Sequence, residues 1–306
     1  MRNPSAYGSL VGIRPTYGLN SNAGILPDAP TSDTVGPMTR TVRDAAIVLG
    51  VIAGPDSKDP VTAQAEGHVA SSYTEGLSSE GLQGVRLGVI RSFFGEGAEA
   101  GKVTAVMDAA ISDLERLGAT IVDPVEILHA EDIVSQGNNT WGRWLYENGD
   151  ALDEYLKGLG DLAPVTYEEL REMGSGAPLI MPYMATGGMD TPEYRKALAE
   201  STEFTQEAVQ TAMAEHNLDA LVYPTLSLPP APIGQAQTGS NCHLSAWSGY
   251  PAITVPAGYT VDGHPVGLEM ISTAWTEATL LRFAYAFEQG THHRRAPSLA
   301  PGLSRE

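Results

Sequence analysis

Apolar residues recur along the chain with two spacings, and each spacing predicts one kind of secondary structure. Val42, Ala45, Ala46, Leu49 and Ile52 fall on one stripe of a predicted helix over residues 41–53. The same spacing predicts helices over residues 103–117, 191–216 and 276–288. Short runs of aliphatic residues predict strands over residues 85–90, 119–123, 219–223, 251–256 and 266–271.

This alternation of strands and helices predicts an α/β protein. We expect a mixed, largely parallel central sheet with helices on both faces, because strands separated by helices usually run in the same direction. A length of 306 residues allows one or two domains. We expect a single domain over residues 1–306, with residues 125–200 as a less certain helical and loop insertion. Residues 1–38 are rich in Gly, Pro and Ser and predict a functional loop region.

The charge of the chain excludes two classes of partner. Lys and Arg number 18 and Asp and Glu number 37, so the net charge is −19. Nucleic acids and anionic membrane surfaces both require basic protein surfaces, so neither is expected as a partner.

The longest apolar run, residues 45–54, is shorter than the roughly 20 residues of a membrane span. No signal peptide is visible. The compartment stays open, with the cytoplasm as default, since a signal could have been lost with an N-terminal part.

The residue types that carry catalysis do not form a complete set. The seven histidines show no metal-binding spacing and no phosphate-binding loop is present, so no metal and no cofactor is expected. Cys242 and His243 could form a thiol–imidazole pair, but adjacent residues point in different directions and a buried thiol is the simpler interpretation. All four lysines have polar, charged or Gly neighbours, so none resembles a buried base.

Two blocks of residues resemble the amidase signature family. The first comprises residues 2–7 (RNPSAY), 11–18 (VGIRPTYG) and 32–45 (SDTVGPMTRTVRDA). The second comprises residues 219–225 (DALVYPT), 248–258 (SGYPAITVPAG) and 265–268 (PVGL). The resemblance is weakest over residues 125–200. It implies hydrolysis of a carboxylic amide through an acyl-enzyme, with a serine nucleophile, a second serine in a cis peptide as proton relay, a lysine base and backbone donors for the oxyanion.

The catalytic residues implied by the resemblance are absent from the 306 residues. In the family the nucleophile lies in a segment like Gly-Gly-Ser-x-Arg-x-Pro. Arg2, Asn3 and Pro4 match its last three positions and Met1 matches the first x, so the nucleophilic serine would precede Met1. The relay serine, the lysine and the oxyanion loop would lie further upstream. We therefore expect an N-terminally truncated amidase that is inactive alone. The alternative is a pseudoenzyme that acts as a binding or interaction module.

The resemblance also indicates which residues support the site. Arg2 is expected beside the nucleophile loop, paired with an upstream carboxylate, and Asp33 is expected to hold the Gly36-Pro37 turn by accepting backbone N–H bonds. Substrate-lining positions are expected at the end of a strand and just before the Gly249-Tyr250-Pro251 turn: Thr225, Asn241, Cys242, Ser245 and Trp247. We expect Arg2, Thr225 and residues 241–247 to meet in one crevice.

The same comparison narrows the substrate. The family includes glutamine-hydrolysing subunits of tRNA-dependent amidotransferases, which carry an acidic residue ahead of the Gly-x-Pro turn. Residues 237–242 (QTGSNC) contain no acid, and Trp247 and Tyr250 suit a bulkier substrate. The chain thus resembles stand-alone amidases, including peptide amidases, that act on a small-molecule amide or a C-terminally amidated peptide. A glutamine-hydrolysing subunit is the second alternative. A homodimer is possible, because a truncated sheet exposes apolar surface.

Overall fold

Seven strands in the described part of the chain form one mixed sheet. The computed structural model describes residues 1–135, 143–172 and 188–297. The strand order is β2-β1-β6-β7-β5-β3-β4. All five predicted strands are present, and two more lie in the stretch expected to be loop. The strands are β1 Val11–Arg14, β2 Met38–Thr39, β3 Arg86–Val89, β4 Thr120–Val122, β5 Ala220–Pro224, β6 Ala252–Tyr259 and β7 Pro265–Ile271.

The strand directions differ in part from the prediction. β3 pairs in parallel with β4 and β5, whereas the other four pairings are antiparallel. The α/β class and the mixed sheet are confirmed, but the parallel part is smaller than expected. One antiparallel pair follows from a hairpin between β6 and β7, where Gly263 adopts φ +84° and the His264 carbonyl accepts from the Thr260 N–H. β7 is also antiparallel to its other neighbour, β5.

The predicted helices are confirmed, with small changes at their ends. Thr41 caps the second helix by accepting the Asp44 N–H, and Thr191 caps the seventh by accepting the Tyr194 N–H. The third begins at Gly97, earlier than residue 103. The helices are α1 Arg2–Tyr7, α2 Val42–Ile52, α3 Gly97–Arg116, α4 Ala130–Ser135, α5 Trp144–Leu159, α6 Tyr167–Glu172, α7 Pro192–His216, α8 His243–Ser248 and α9 Glu277–Thr291.

Helices cover both faces of the sheet, and every residue of β5 is therefore buried. Val222 packs with Leu49 of α2 and Phe283 of α9 in one core. Leu221 and Tyr223 belong to a second core, which includes residues of α7 and α8. Successive side chains of a strand face opposite ways, so a strand covered on both sides is apolar throughout.

α1 lies directly on the sheet, in the stretch predicted to be loop. A Cβ at Gly12 of β1 would lie 2.4 Å from Ser5 Oγ of α1. A Cβ at Gly267 of β7 would lie 2.7 Å from the Cβ of Ala6. Because glycine leaves room at both positions, the helix approaches the strands closely, and Arg2, Ser5 and Ala6 are buried.

Residues 125–200, predicted as an insertion, contain α4, α5, α6 and the start of α7. Part of this stretch, residues 136–142 and 173–187, lies outside the described residues. The single-domain interpretation stays a prediction. No helix in the described ranges combines the length and the apolarity that a membrane span requires.

Candidate active site

Arg2, at the start of α1, is held inside the molecule by a carboxylate and a carbonyl. Its Nη1 forms a salt bridge with Glu269 Oε1 of β7, and its Nη2 donates to the Cys242 carbonyl at 2.8 Å. The side chains of Arg2 and Glu269 are 5 % and 0 % exposed. This partner lies 267 positions downstream of Arg2, and a further pairing with a carboxylate that precedes Met1 stays a prediction.

Glu269 connects α1 to two strands of the sheet. Besides the salt bridge with Arg2, its Oε1 accepts a hydrogen bond from the Tyr223 hydroxyl of β5 at 3.0 Å. Burial raises the pKa of Glu269, and the positive charge of Arg2 opposes that rise. Burial alone would lower the pKa of Arg2, but the negative charge of Glu269 and its hydrogen bond with Arg2 raise the pKa, so the guanidinium stays protonated.

Cys242 is engaged by an amide rather than by a base. Its Sγ donates to Asn3 Oδ1 at 2.7 Å, and Asn3 Nδ2 donates to Ser240 Oγ at 2.9 Å. Burial raises the pKa of the thiol, which keeps it protonated near neutral pH. The His243 ring packs 4.8 Å from the Trp247 ring, and burial lowers its pKa to about 4. The geometry therefore favours a half-buried, hydrogen-bonded thiol over a thiol–imidazole pair. Among the described residues, no three His, Cys, Asp or Glu side chains are grouped to hold a metal ion.

Thr225 and Asn241 lie together, next to Cys242, whose carbonyl accepts from Arg2. The Asn241 N–H donates to the Thr225 carbonyl at 3.2 Å. Asn241 Nδ2 donates to the carbonyls of Phe93 and Pro224, at 2.8 and 2.7 Å. Thr225 Oγ1 lies 2.5 Å from Thr254 Oγ1. Both side chains thus hold the ends of strands together, and their contact with substrate stays a prediction.

α8 leads from this cluster to a cavity of about 390 Å³. Cys242 directly precedes the helix, and Trp247 in its last turn lines the cavity. From Cys242 to Trp247 the chain advances about 8 Å along the helix axis, at 1.5 Å of rise per residue. Ser245 Oγ donates to the Tyr250 carbonyl at 2.8 Å, so it stabilises the turn after α8 and does not line this cavity.

Asp33 holds a loop, though not the predicted one. Its Oδ2 accepts the N–H groups of Asp28 and Ala29 at 2.8 and 3.0 Å. The segment that it closes is residues 28–33, which precedes the Gly36-Pro37 turn. Asp33 is therefore a loop-forming carboxylate, and its role in supporting an active site stays a prediction.

Two charged residues of this region, Glu269 and Arg143, are not predicted by the sequence analysis. Glu269 did carry a signal, because it is the single charged residue in residues 265–271 (PVGLEMI), and a carboxylate inside an apolar strand needs a buried partner. Arg143 carried none, since it lies in the stretch without clear periodicity. Its burial, at 2 % exposure, appears only in the folded structure.

Comparisons with known proteins identify the family. The model of the Amidase family matches residues 1–281, so the chain belongs to that family. Peptide amidase from Stenotrophomonas maltophilia is 35 % identical with a TM-score of 0.84, over 96 % of this chain and 60 % of that chain. A glutamyl-tRNA(Gln) amidotransferase subunit from Thermosynechococcus vestitus is 32 % identical over 98 % of this chain and 64 % of the relative. The corresponding subunit from Thermotoga maritima is 26 % identical with a TM-score of 0.65, over 94 % of this chain and 59 % of that one. The chain spans less than two thirds of the length of each.

Proposed function

We propose that this chain forms the scaffold and part of the substrate pocket of an amidase that works through a serine acyl-enzyme. A serine oxygen attacks the amide carbonyl carbon, the C–N bond breaks, and the leaving nitrogen takes a proton. Water then attacks the acyl carbon, the carboxylic acid is released, and the serine regains its proton. The nucleophile, the relay serine and the lysine base are proposed to lie outside these 306 residues, with the nucleophile directly before Met1.

The observation that carries the proposal is the anchoring of α1. The close approach at Gly12 and Gly267 and the salt bridge between Arg2 and Glu269 fix the backbone next to Met1 on the sheet. A nucleophile joined to that backbone would be held beside β1, because the Met1 carbonyl lies against Gly12. Such rigid placement favours a nucleophile that must meet the substrate in one orientation.

The surroundings of the four lysines support the proposal that the lysine base lies outside these 306 residues. Lys58, Lys157 and Lys196 are exposed, and Lys102 pairs with two surface carboxylates, Glu99 and Asp262. A lysine that acts as a base needs a pKa well below its ordinary value, and burial is the usual way to lower it. None of these four side chains has such surroundings.

We propose a small-molecule amide or a C-terminally amidated peptide as the substrate. The similarity to peptide amidase, with a TM-score of 0.84, is greater than that to the Thermotoga maritima subunit, at 0.65. The absence of an acid in residues 237–242 supports the same choice. Glutamine hydrolysis within an amidotransferase is the second candidate, supported by the 32 % identity to the Thermosynechococcus vestitus subunit.

The test compares this chain with a form extended upstream to include a Gly-Gly-Ser segment and the lysine. Ammonia release is measured with aliphatic amides, aryl amides, C-terminal peptide amides and glutamine. We expect activity from the extended form on amides other than glutamine. Loss of a nucleophile typically removes about 10⁶ of the rate, so the 306-residue form is expected to be silent. The matched control is the extended form with its nucleophilic serine replaced by alanine.

Three other results would change the conclusion. Hydrolysis of glutamine alone would favour the amidotransferase subunit. Silence of both forms on all substrates would favour a binding module. Turnover by the 306-residue form that survives Cys242→Ala would contradict the proposed placement of the nucleophile, whereas turnover abolished by Cys242→Ala would identify the thiol as the nucleophile.

A further inference from the structure

The cavity of about 390 Å³ at the end of α8 combines an aromatic wall with one buried cation. The residues that line it include four aromatic ones, Tyr17, Trp247, Tyr250 and Trp275, together with Arg143. This volume lies within the usual range for small-molecule pockets, about 300–1,000 Å³. Among the described residues that line it, none is Asp or Glu.

Arg143 is nearly inaccessible, yet part of its donor capacity has no acceptor among the residues that the structure describes. Its Nε and Nη2 donate to Ser201 Oγ at 3.2 and 2.9 Å, and Nη2 also reaches Thr202 Oγ1 and the Trp247 carbonyl. Within the described part of the chain, Nη1 contacts only the Thr31 carbonyl, at 3.4 Å. A guanidinium has five N–H donors, so at least one on Nη1 has no described acceptor.

A second buried arginine lies behind the same wall. Arg14 is 5 % exposed, and its Nη2 donates to the carbonyls of Ser32 and Ala246 at 2.9 and 3.4 Å. Its Nε has no partner among the described residues. Burial and the nearby charge of Arg2 lower the pKa of Arg14 to about 9. Arg14 and Arg143 bracket the same two segments, because each bonds one of two consecutive carbonyls in residues 31–32 and 246–247.

These two cations are poorly balanced by negative charge. Neither forms a salt bridge with a carboxylate that the structure describes. Glu147 acts on Arg143 through space, but its oxygens accept from the Thr31 N–H and hydroxyl and from the Tyr194 hydroxyl. Burial also raises the pKa of Glu147, because it disfavours the charged form of this carboxyl group. A buried cation is costly without an anionic partner, so this wall of the cavity favours an anion.

We propose that this cavity binds a carboxylate carried on an aromatic or apolar group, with Arg143 donating to the carboxylate oxygens. Tyr17, Trp247 and Trp275 enclose the apolar part. Binding of a carboxylate in this cavity does not depend on the proposed function. The choice of substrate does rest on it: the substrates are amides whose acyl part carries a second, ionised carboxyl group. Amides with a free ammonium group are disfavoured, since no described acid lines the cavity.

The test measures binding to the 306-residue chain, without turnover. Three probes share one skeleton and differ in charge: 3-phenylpropanoate, 3-phenylpropanamide and 3-phenylpropylamine. Dissociation constants are measured by calorimetry or ligand-observed NMR. We expect the carboxylate to bind at least about tenfold more tightly than the amide, because hydrogen bonds between charged groups are the stronger ones. The ammonium probe is expected to bind most weakly.

Three variants test whether Arg143 and this cavity cause the preference for the carboxylate probe. Arg143→Gln removes the charge, and the ratio of amide to carboxylate dissociation constants should fall to about twofold or less. Arg195→Gln is the matched control, because this exposed arginine of α7 contacts only the Asp190 backbone among described groups. Ala274→Phe fills the cavity from a half-buried position and should abolish binding of all probes. Circular dichroism checks that each variant is folded.

Three results would overturn the inference: equal binding of carboxylate and amide, a preference that survives Arg143→Gln, or binding that survives Ala274→Phe. If Arg143→Gln does not fold, Ala274→Phe and the probe series still decide the outcome. Failure of the extended chain to hydrolyse amides would contradict the proposed function without affecting these binding results. The two proposals therefore fail separately.

Discussion

Replacing Glu269 by glutamine removes the charge that balances Arg2 while leaving the shape of the side chain nearly unchanged. Arg2 is 5 % exposed and Glu269 is 0 % exposed, so water cannot take over the lost interaction. Removing one partner of a buried ion pair typically costs about 3–5 kcal/mol. The Cys242 carbonyl still accepts from Arg2, and the glutamine oxygen still accepts from Tyr223, so we expect the lower value, about 3 kcal/mol.

Urea unfolding followed by circular dichroism measures this loss. With a urea dependence of about 3 kcal/mol per M, the midpoint of Glu269→Gln should fall by about 1 M. The double variant Arg2→Met with Glu269→Gln should be more stable than Glu269→Gln alone, because it leaves no unpaired charge inside. Asp153→Asn is the control, since it breaks a surface pair with Lys157 and should not change the midpoint measurably.

The reasoning would be refuted by a loss below about 1 kcal/mol in Glu269→Gln, the range of an exposed ion pair. It would also be refuted if adding Arg2→Met lowered the stability further. Either result would mean that the interior around Arg2 tolerates an unpaired guanidinium.

Three further predictions concern single positions. The pKa of His243 is lowered to about 4, so between that pH and its ordinary pKa of about 6.5 the unfolded chain binds the extra proton. Stability should therefore fall as the pH is lowered through this window, by up to about 3 kcal/mol. His243→Gln should remove this part of the pH dependence, measured by urea unfolding at pH 7 and 4.5. Asn241→Ala leaves two buried carbonyls without their donor and should cost about 2 kcal/mol in the same assay; a loss within error would contradict it. Gly12→Ala forces a Cβ against Ser5 and should cost about 1–3 kcal/mol in thermal unfolding. Gly50→Ala, where a Cβ meets nothing closer than 3.8 Å, is the control and should stabilise α2 slightly.

Much of the local structure was readable from the sequence. α2, α3, α7 and α9 and the strands from β3 to β7 all correspond to predicted segments. The spacing of apolar residues carries this information because each helix or strand buries one side or both sides of its own length, and the pattern is complete within that length. The caps at Thr41 and Thr191 are equally local, since the hydroxyl bonds a backbone N–H three residues away.

The resemblance to the amidase signature family was also carried by short segments, and the match over residues 1–281 confirms it. The same segments pointed to Arg2, Thr225 and Asn241, which the structure brings together. The groups that these side chains contact could not be predicted from the sequence. Asn241 and Ser245 bond to backbone carbonyls, and a side chain committed to its own chain has the same letter in the sequence as one that faces a ligand.

Only the tertiary structure decided which distant residues meet. β1 pairs with β6, and β5 pairs with β7, across long stretches of chain, and no local pattern reports on such pairings. Arg2 and Glu269 are 267 positions apart, so their contact depends on α1 resting on the sheet at Gly12 and Gly267. The cavity beside Arg143 arises where several separate parts of the chain, between Thr16 and Trp275, converge. Burial of a charge is a property of everything that surrounds it, and sequence spacing describes only the few residues on either side.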